Sequence, residues 1–176
     1  MSIKAITVQH KNVLRYLEET GKYESGVRTV PTSRSRAYDY MMKTYSYKNP
    51  PIFLAPVGRR VEFCGANFGE DCVAIELDIP ADKVRIQEYY DWSDFIYFVE
   101  ESDVEDFIDT FSDLDEFGKN VLLGTNAMED NRVYQLTVDY LDADWVTKVS
   151  WRLDKLKQLH NCSGGANVLD ELSEYM

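Results

Sequence analysis

A chain of 176 residues and 20.4 kDa has the length of one domain. Hydrophobic residues make up 44% of it and aromatic residues 13%, which is enough to build a core and excludes disordered and fibrous classes. The formal net charge of −12 argues against a protein that coats nucleic acid or an anionic membrane.

In chain order, Ile3 to Gln9 reads as a strand. His10 to Thr20 reads as a helix with Val13, Leu14 and Leu17 inward, closed by Gly21. Residues 26–35 are polar and Arg-rich with Pro31, hence a loop, and Ser33 or Ser35 is placed to cap a second helix carrying Ala37, Tyr38, Met41, Met42 and Tyr45. Asn49-Pro50-Pro51 must end that helix, because proline cannot continue it. Strands follow at Ile52 to Ala55, Arg60 to Cys64 and Cys72 to Ile79, the last alternating cleanly until Pro80. Asp91 to Tyr97 and Val104 to Phe111 carry helical spacing. Tyr134 to Tyr140 alternates again, and a turn at Asp142-Ala143-Asp144 leads to Trp145 to Trp151, so the two pair as a hairpin. Leu153, Leu156 and Leu159 mark a helix, broken at Gly164-Gly165 before a last short helix from Asn167. Strands cluster instead of alternating strictly with helices. The expectation is a single α+β domain, a mixed or antiparallel sheet with several flanking helices.

The N-terminus has no apolar run of signal-peptide length, and no window reaches the roughly 20 apolar residues needed to cross a bilayer. Cys64, Cys72 and Cys162 form neither an even framework nor a C-x-x-C pair, so a reducing, cytoplasmic setting is expected. His10 and His160 lie far apart, and no metal site is expected.

The charge is uneven. Residues 1–60 hold 11 bases and 4 acids, a net of +7; residues 61–144 hold 4 bases and 23 acids, a net of −19; residues 145–176 balance. The densest stretch holds nine acids and no base: Glu100, Glu101, Asp103, Glu105, Asp106, Asp109, Asp113, Asp115 and Glu116. Val104, Phe107, Ile108 and Phe111 give the same stretch one apolar helical face. A solvated helix with an apolar inner stripe accounts for it. So does a row of carboxylates that imitates phosphates for a basic partner, and clustered like charges repel by a few tenths of a kcal/mol per i,i+4 pair.

No nucleotide-binding glycine motif is present: residues 118–124 (GKNVLLG) lack the P-loop order, and residues 161–167 (NCSGGAN) follow a helical pattern instead of a strand. Cys162 beside His160 is a poor nucleophile–base pair, and carboxylates are too numerous for any two to be diagnostic. More informative are His10 at the end of the first strand, Arg28, Arg34 and Arg36 in the next loop, and Tyr38, Tyr40, Tyr45 and Tyr47. Arginines beside a helix N-terminus and aromatic faces suit an anionic, planar ligand such as a dinucleotide. The plain alternative is a basic loop on a solvated face with tyrosines in the core.

The opening ITVQ, Gly21, the segment AYDYM (37–41), PPIF (50–53), IELDIP (75–80) and Asp91-Trp92 occur in that order. Across residues 5–150 the chain resembles an uncharacterised domain-of-unknown-function family of bacteria and their phages, with Tyr40 where that family has Trp. The family implies no activity. The chain also resembles ADP-ribosyltransferase-type domains, which open with a strand ending in His or Arg, a short helix and a glycine-bounded turn. That likeness implies a mixed sheet around NAD, with His10 orienting ribose, Tyr38 and Tyr45 stacking on nicotinamide and Glu76 stabilising the oxocarbenium. The Ser-Thr-Ser core and the Q-x-E or E-x-E turn of such domains are missing here.

Three functions follow as expectations. The first is a non-catalytic acidic protein that binds and inhibits a basic, nucleic-acid-handling protein through its carboxylate row, in a bacterium or a phage-infected cell, without touching nucleic acid or membrane itself. The second is an NAD-using ADP-ribosyl-transferring enzyme; only this reading implies a cofactor. The third is a regulatory domain that binds a small anion through Arg28, Arg34 and Arg36.

Overall fold

A computed structural model describes residues 1–26, 30–59, 71–101, 104–151 and 153, with the backbone course alone for 101 and 104–113. The chain runs β1 (Ser2–His10), α1 (Lys11–Thr20), β2 (Lys22–Tyr23), α2 (Ser35–Tyr45), β3 (Ile52–Pro56), β4 (Cys72–Pro80), β5 (Arg85–Glu88), α3 (Tyr89–Glu101), α4 (Val104–Leu123), β6 (Tyr134–Val138), β7 (Leu141–Asp142) and β8 (Val146–Ser150). Six strands form one antiparallel sheet in the order β5-β6-β3-β1-β4-β8, and β2 pairs with β7 in a separate ribbon. This is the expected α+β class, with the sheet antiparallel throughout.

The sheet is anchored by β1 and β4, which pair from Ser2 against Pro80 to His10 against Cys72. Their shared face buries Ala5, Val73, Ile75, Leu77 and Ile79 against Leu14 and Leu17 of α1, with Leu54, Leu136, Leu141 and Trp145 completing that core. Cys72 is a free, buried thiol at 4% exposure. The opposite face carries α2, α3 and α4, whose Ala37, Met41, Tyr45, Trp92, Phe95, Val99, Val121 and Leu122 form a second core packed on Phe53 of β3. Period-2 alternation in the strands supplies both cores from one sheet.

Local signals set most boundaries. His10 is extended and its Nδ1 accepts from the Asn12 backbone N–H, which caps α1. Gly21 then takes φ +78°, a left-handed conformation open to glycine, and its N–H returns to the Leu17 carbonyl. Helix α2 closes at Ser46, also left-handed at φ 58°, before the Asn49-Pro50-Pro51 stop.

Two expectations are corrected. Neither Ser33 nor Ser35 caps α2. Ser35 is its first residue, Arg34 precedes it without a side-chain cap, and the free Ala37 N–H is taken by Glu100 of α3. Nor do the two alternating segments near the C-terminus form a hairpin. β6 pairs with β3 and β5 while β8 pairs with β4, at the far side of the sheet. Between them β7 leaves the sheet to pair with β2, where Ala143 N–H also donates to the Gly21 carbonyl. The strand reading at Arg60 to Cys64 and the helices expected after Leu153 lie outside the described residues, as do Cys64, His160 and Cys162.

Candidate functional site: a cleft where the sheet parts

The ladder between β1 and β3 holds two register pairs, Ala5 with Pro56 and Ile6 with Ala55. Past them the two strands run on without pairing each other, bridged by the Thr7 hydroxyl donating to the Phe53 carbonyl at 3.0 Å. A cleft of about 570 Å³ opens there. That volume lies within the range of small-molecule pockets. Its lining comes from Ile6 to Gln9 of β1, Ile52 to Ala55 of β3, Gln135 of β6, the segment before α2 (Pro31, Ser33, Arg34), Tyr38 of α2 and the first turns of α3.

Three aromatic rings converge on it. Tyr38 lies 5.5 Å from Phe53 and 6.4 Å from Trp92, and Phe53 lies 6.3 Å from Trp92, centroid to centroid. These spacings suit tilted aromatic packing, which makes the three a preformed apolar wall. Burial pushes the Tyr38 phenol above its ordinary pKa, while the Arg34 guanidinium hydrogen-bonded to it pulls the other way. Arg34 is the one cation among the described lining residues. At the β6 side, Gln135 is 8% exposed, and its Nε2, like Oε1 of Gln87 opposite it in the β5–β6 register, is buried without a hydrogen-bond partner among the described residues. Aromatic faces beside a guanidinium are, as a class of surface, complementary to flat, negatively charged molecules.

The sequence-derived candidates separate sharply. Tyr38 and Arg34 line the cleft, whereas Arg28 lies outside the described residues. Arg36 points elsewhere, its Nε 3.3 Å from Glu100 Oε2 and a second nitrogen donating to the Glu100 carbonyl. Tyr45 is core: its hydroxyl donates to the Leu122 carbonyl at 2.6 Å and accepts from Gln87 Nε2 at 2.9 Å, so it is not free to stack on a ligand. Burial raises its pKa. Tyr47 donates to Thr137, and burial pushes it up to about 12. Tyr40 binds Asp115 through both a carbonyl and a carboxylate. His10 is occupied in capping α1 and does not line the cleft. Glu76 sits opposite Ile6 in the β1–β4 register, so it shares the sheet face behind the cleft one strand out, opposite Lys148 of β8. The described lining holds no carboxylate, imidazole or thiol.

Of the nine clustered acids, Glu100, Asp115 and Glu116 have described side chains; Asp103 and the side chains of Glu101, Glu105, Asp106, Asp109 and Asp113 do not. Glu100 caps α2, and Asp115 pairs with Lys119 at 2.5 Å while accepting from Tyr40. Lys119 first, then Tyr40, holds the Asp115 carboxyl below its usual range. Glu116 is exposed. Two of the three therefore serve the fold.

Sequence reasoning missed Phe53, Trp92 and Gln135. Phe53 and Trp92 stood inside family-like motifs with no chemical signature, and Gln135 read as the polar position of an alternating strand. Among the described residues no group of His, Cys, Asp or Glu is placed to hold a metal, and no helix is long and apolar enough to cross a membrane. No protein-family model matches the chain, and neither curated proteins nor solved structures provide a match.

Proposed function

We propose that this domain binds a small, planar, anionic molecule in the cleft between β1 and β3. The observation that carries the reading is convergence. The Tyr38–Phe53–Trp92 wall and the Arg34 guanidinium come from separate parts of the chain to one opening. This favours the anion-binding expectation, with Arg34 as its member and with walls that select a ring over a bare ion. Thermal unfolding of the intact protein with phenyl phosphate, uridine 5′-monophosphate, adenosine 5′-monophosphate and inorganic phosphate tests it. A ligand at 100 times its Kd stabilises by about 2.7 kcal/mol, and the shift should vanish in Arg34→Ala. No shift with any of them at millimolar concentration retires the reading.

A second reading keeps the acidic surface as a binding face for a basic protein. It is favoured by α3, whose outward positions carry Tyr90, Asp94, Tyr97 and Phe98 opposite the buried Trp92, Phe95 and Val99. Tyr97 and Phe98 are 63% and 49% exposed, and between Arg85 and Lys119 the chain contains no base. Exposed rings among carboxylates suit arginine side chains, which stack on aromatic faces while pairing with acids. A nona-arginine peptide should bind in 20 mM salt and lose affinity in Tyr97→Ser. Equal binding by that variant leaves nothing but bulk charge and ends the idea.

A further inference from the structure

In an antiparallel sheet the hydrogen-bonding groups of successive residues turn to opposite neighbours. The odd positions of β1 address β4, a phase fixed just past the pair His10–Cys72, where the Lys11 N–H donates to the Asp71 carbonyl at 2.7 Å. The even positions address β3: the Lys4 carbonyl accepts from the Val57 N–H at 3.0 Å, and Ile6 stands opposite Ala55. The next such pair would be Val8 with Phe53, and it does not form. The Phe53 carbonyl, which the Val8 N–H would have reached, accepts instead from the Thr7 hydroxyl at 3.0 Å. Thr7 is 3% exposed, and its Oγ1 in turn accepts from Gln9 Nε2 at 2.8 Å. Two side chains of β1 thus take the place of a main-chain bond. The Val8 N–H is left without a ladder partner among the described residues, on a half-buried residue that lines the cleft.

Consecutive residues of both strands, 6–9 and 52–55, line the cleft. Neighbours along a strand lie on opposite faces of a sheet, so the opening runs between the strands and takes in the strip towards which the Val8 N–H is directed. Resting on the reading of the cleft as a ligand site, we propose that the Val8 N–H is its main-chain donor to the ligand, and that Thr7 is the positioning residue that frees this donor by holding the Phe53 carbonyl. The strands stay bridged through a single hydroxyl, so what enters between them is the edge of a flat ring and not a tetrahedral group. The ligand is therefore a planar anion whose ring edge carries an acceptor, either a carbonyl oxygen or a ring nitrogen. A ring without one would strip water from the Val8 N–H and return no hydrogen bond, and polar groups in a site discriminate in this way.

Hydrogen exchange at single amides, followed by NMR on the intact protein, reads the donor directly. Without ligand the Val8 amide should exchange at least about tenfold faster than that of Ile6, and saturating uridine 5′-monophosphate, whose ring carries carbonyls, should slow it. Titration calorimetry should give about tenfold tighter binding of that nucleotide than of phenyl phosphate, whose ring has no acceptor, the worth of one hydrogen bond. In Thr7→Val the Val8 N–H recovers the Phe53 carbonyl, so its exchange should slow without ligand and the preference should collapse towards unity. Thr7→Ser keeps the hydroxyl and should keep both readouts. A Val8 amide as protected as that of Ile6 in the free parent, or one whose exchange bound nucleotide leaves unchanged, overturns the proposal. Equal affinity for the two probes overturns it as well, and if that binding still depends on Arg34 the cleft stands as a ligand site. Should Thr7→Val fail to fold, the exchange and affinities of the parent decide alone. If neither probe binds the parent, both readings fall together.

Discussion

At the residue scale, Glu100 shows how a position with an evident electrostatic meaning is claimed by the fold. It sits near the end of α3, yet one carboxylate oxygen accepts from the Ala37 N–H at 2.9 Å and the other faces Arg36 Nε at 3.3 Å. The first turn of any helix leaves N–H groups unmet, and a carboxylate there answers both the hydrogen bond and the helix dipole. Arg36 is 46% exposed, so its ion pair adds little, but the Glu100 side chain is only 10% exposed and its bond to Ala37 is sheltered. Glu100→Ala should therefore cost about 1–2 kcal/mol, read as a lower urea midpoint with an unchanged slope. Ser35→Ala should leave that midpoint nearly where it was, because Ser35 Oγ donates to Thr32 and caps nothing. A larger loss at Ser35 than at Glu100 would reverse the assignment of the cap.

At the scale of elements, what was legible depended on whether the signal was local. β1, α1, its closure at Gly21 and the end of β4 at Pro80 all follow from periodicity and backbone restriction within a few residues. Alternation marks β6 and β8 as strands equally well, but it carries no information about which strand each will meet. The hairpin rule assumes that neighbours in sequence pair, and here Leu141 and Asp142 divert the chain to Tyr23 and Lys22 first. The packing of α4 was equally hidden. A Cβ on Gly118 would lie 2.6 Å from the Phe95 ring and 2.8 Å from that of Tyr40, a demand for closeness that no single-chain pattern announces. The cleft belongs to this second kind of feature. Arg34 and Tyr38 were visible because charge and aromaticity mark them individually, whereas the place where β1 and β3 part exists only once the strand order is known.

For the whole molecule, the division into a basic third and an acidic middle is partly folded onto itself. Lys11 pairs with Asp71, Arg36 with Glu100 and Arg59 with Asp130, each joining the first 60 residues to the acidic part. Lys11 also holds the Asp71 carboxyl below its ordinary range. Yet pairing inside the molecule does not alter its net charge of −12, and the Lys11–Asp71 pair stands at 49% and 59% side-chain exposure. Exposed pairs contribute at most about 1 kcal/mol each, while the surplus acids repel one another across the whole surface. Salt weakens both, with a screening length of about 10 Å at 0.1 M. Short exposed contacts are already damped by water, so the longer-ranged repulsion is the larger loss. The melting temperature should consequently rise by a few degrees between about 0.02 and 0.3 M sodium chloride, well inside what one or two kcal/mol can do in a domain of this size. Calorimetry at constant pH in those two buffers decides the sign. A fall would mean that the three bridges between the basic third and the acidic middle outweigh the repulsion.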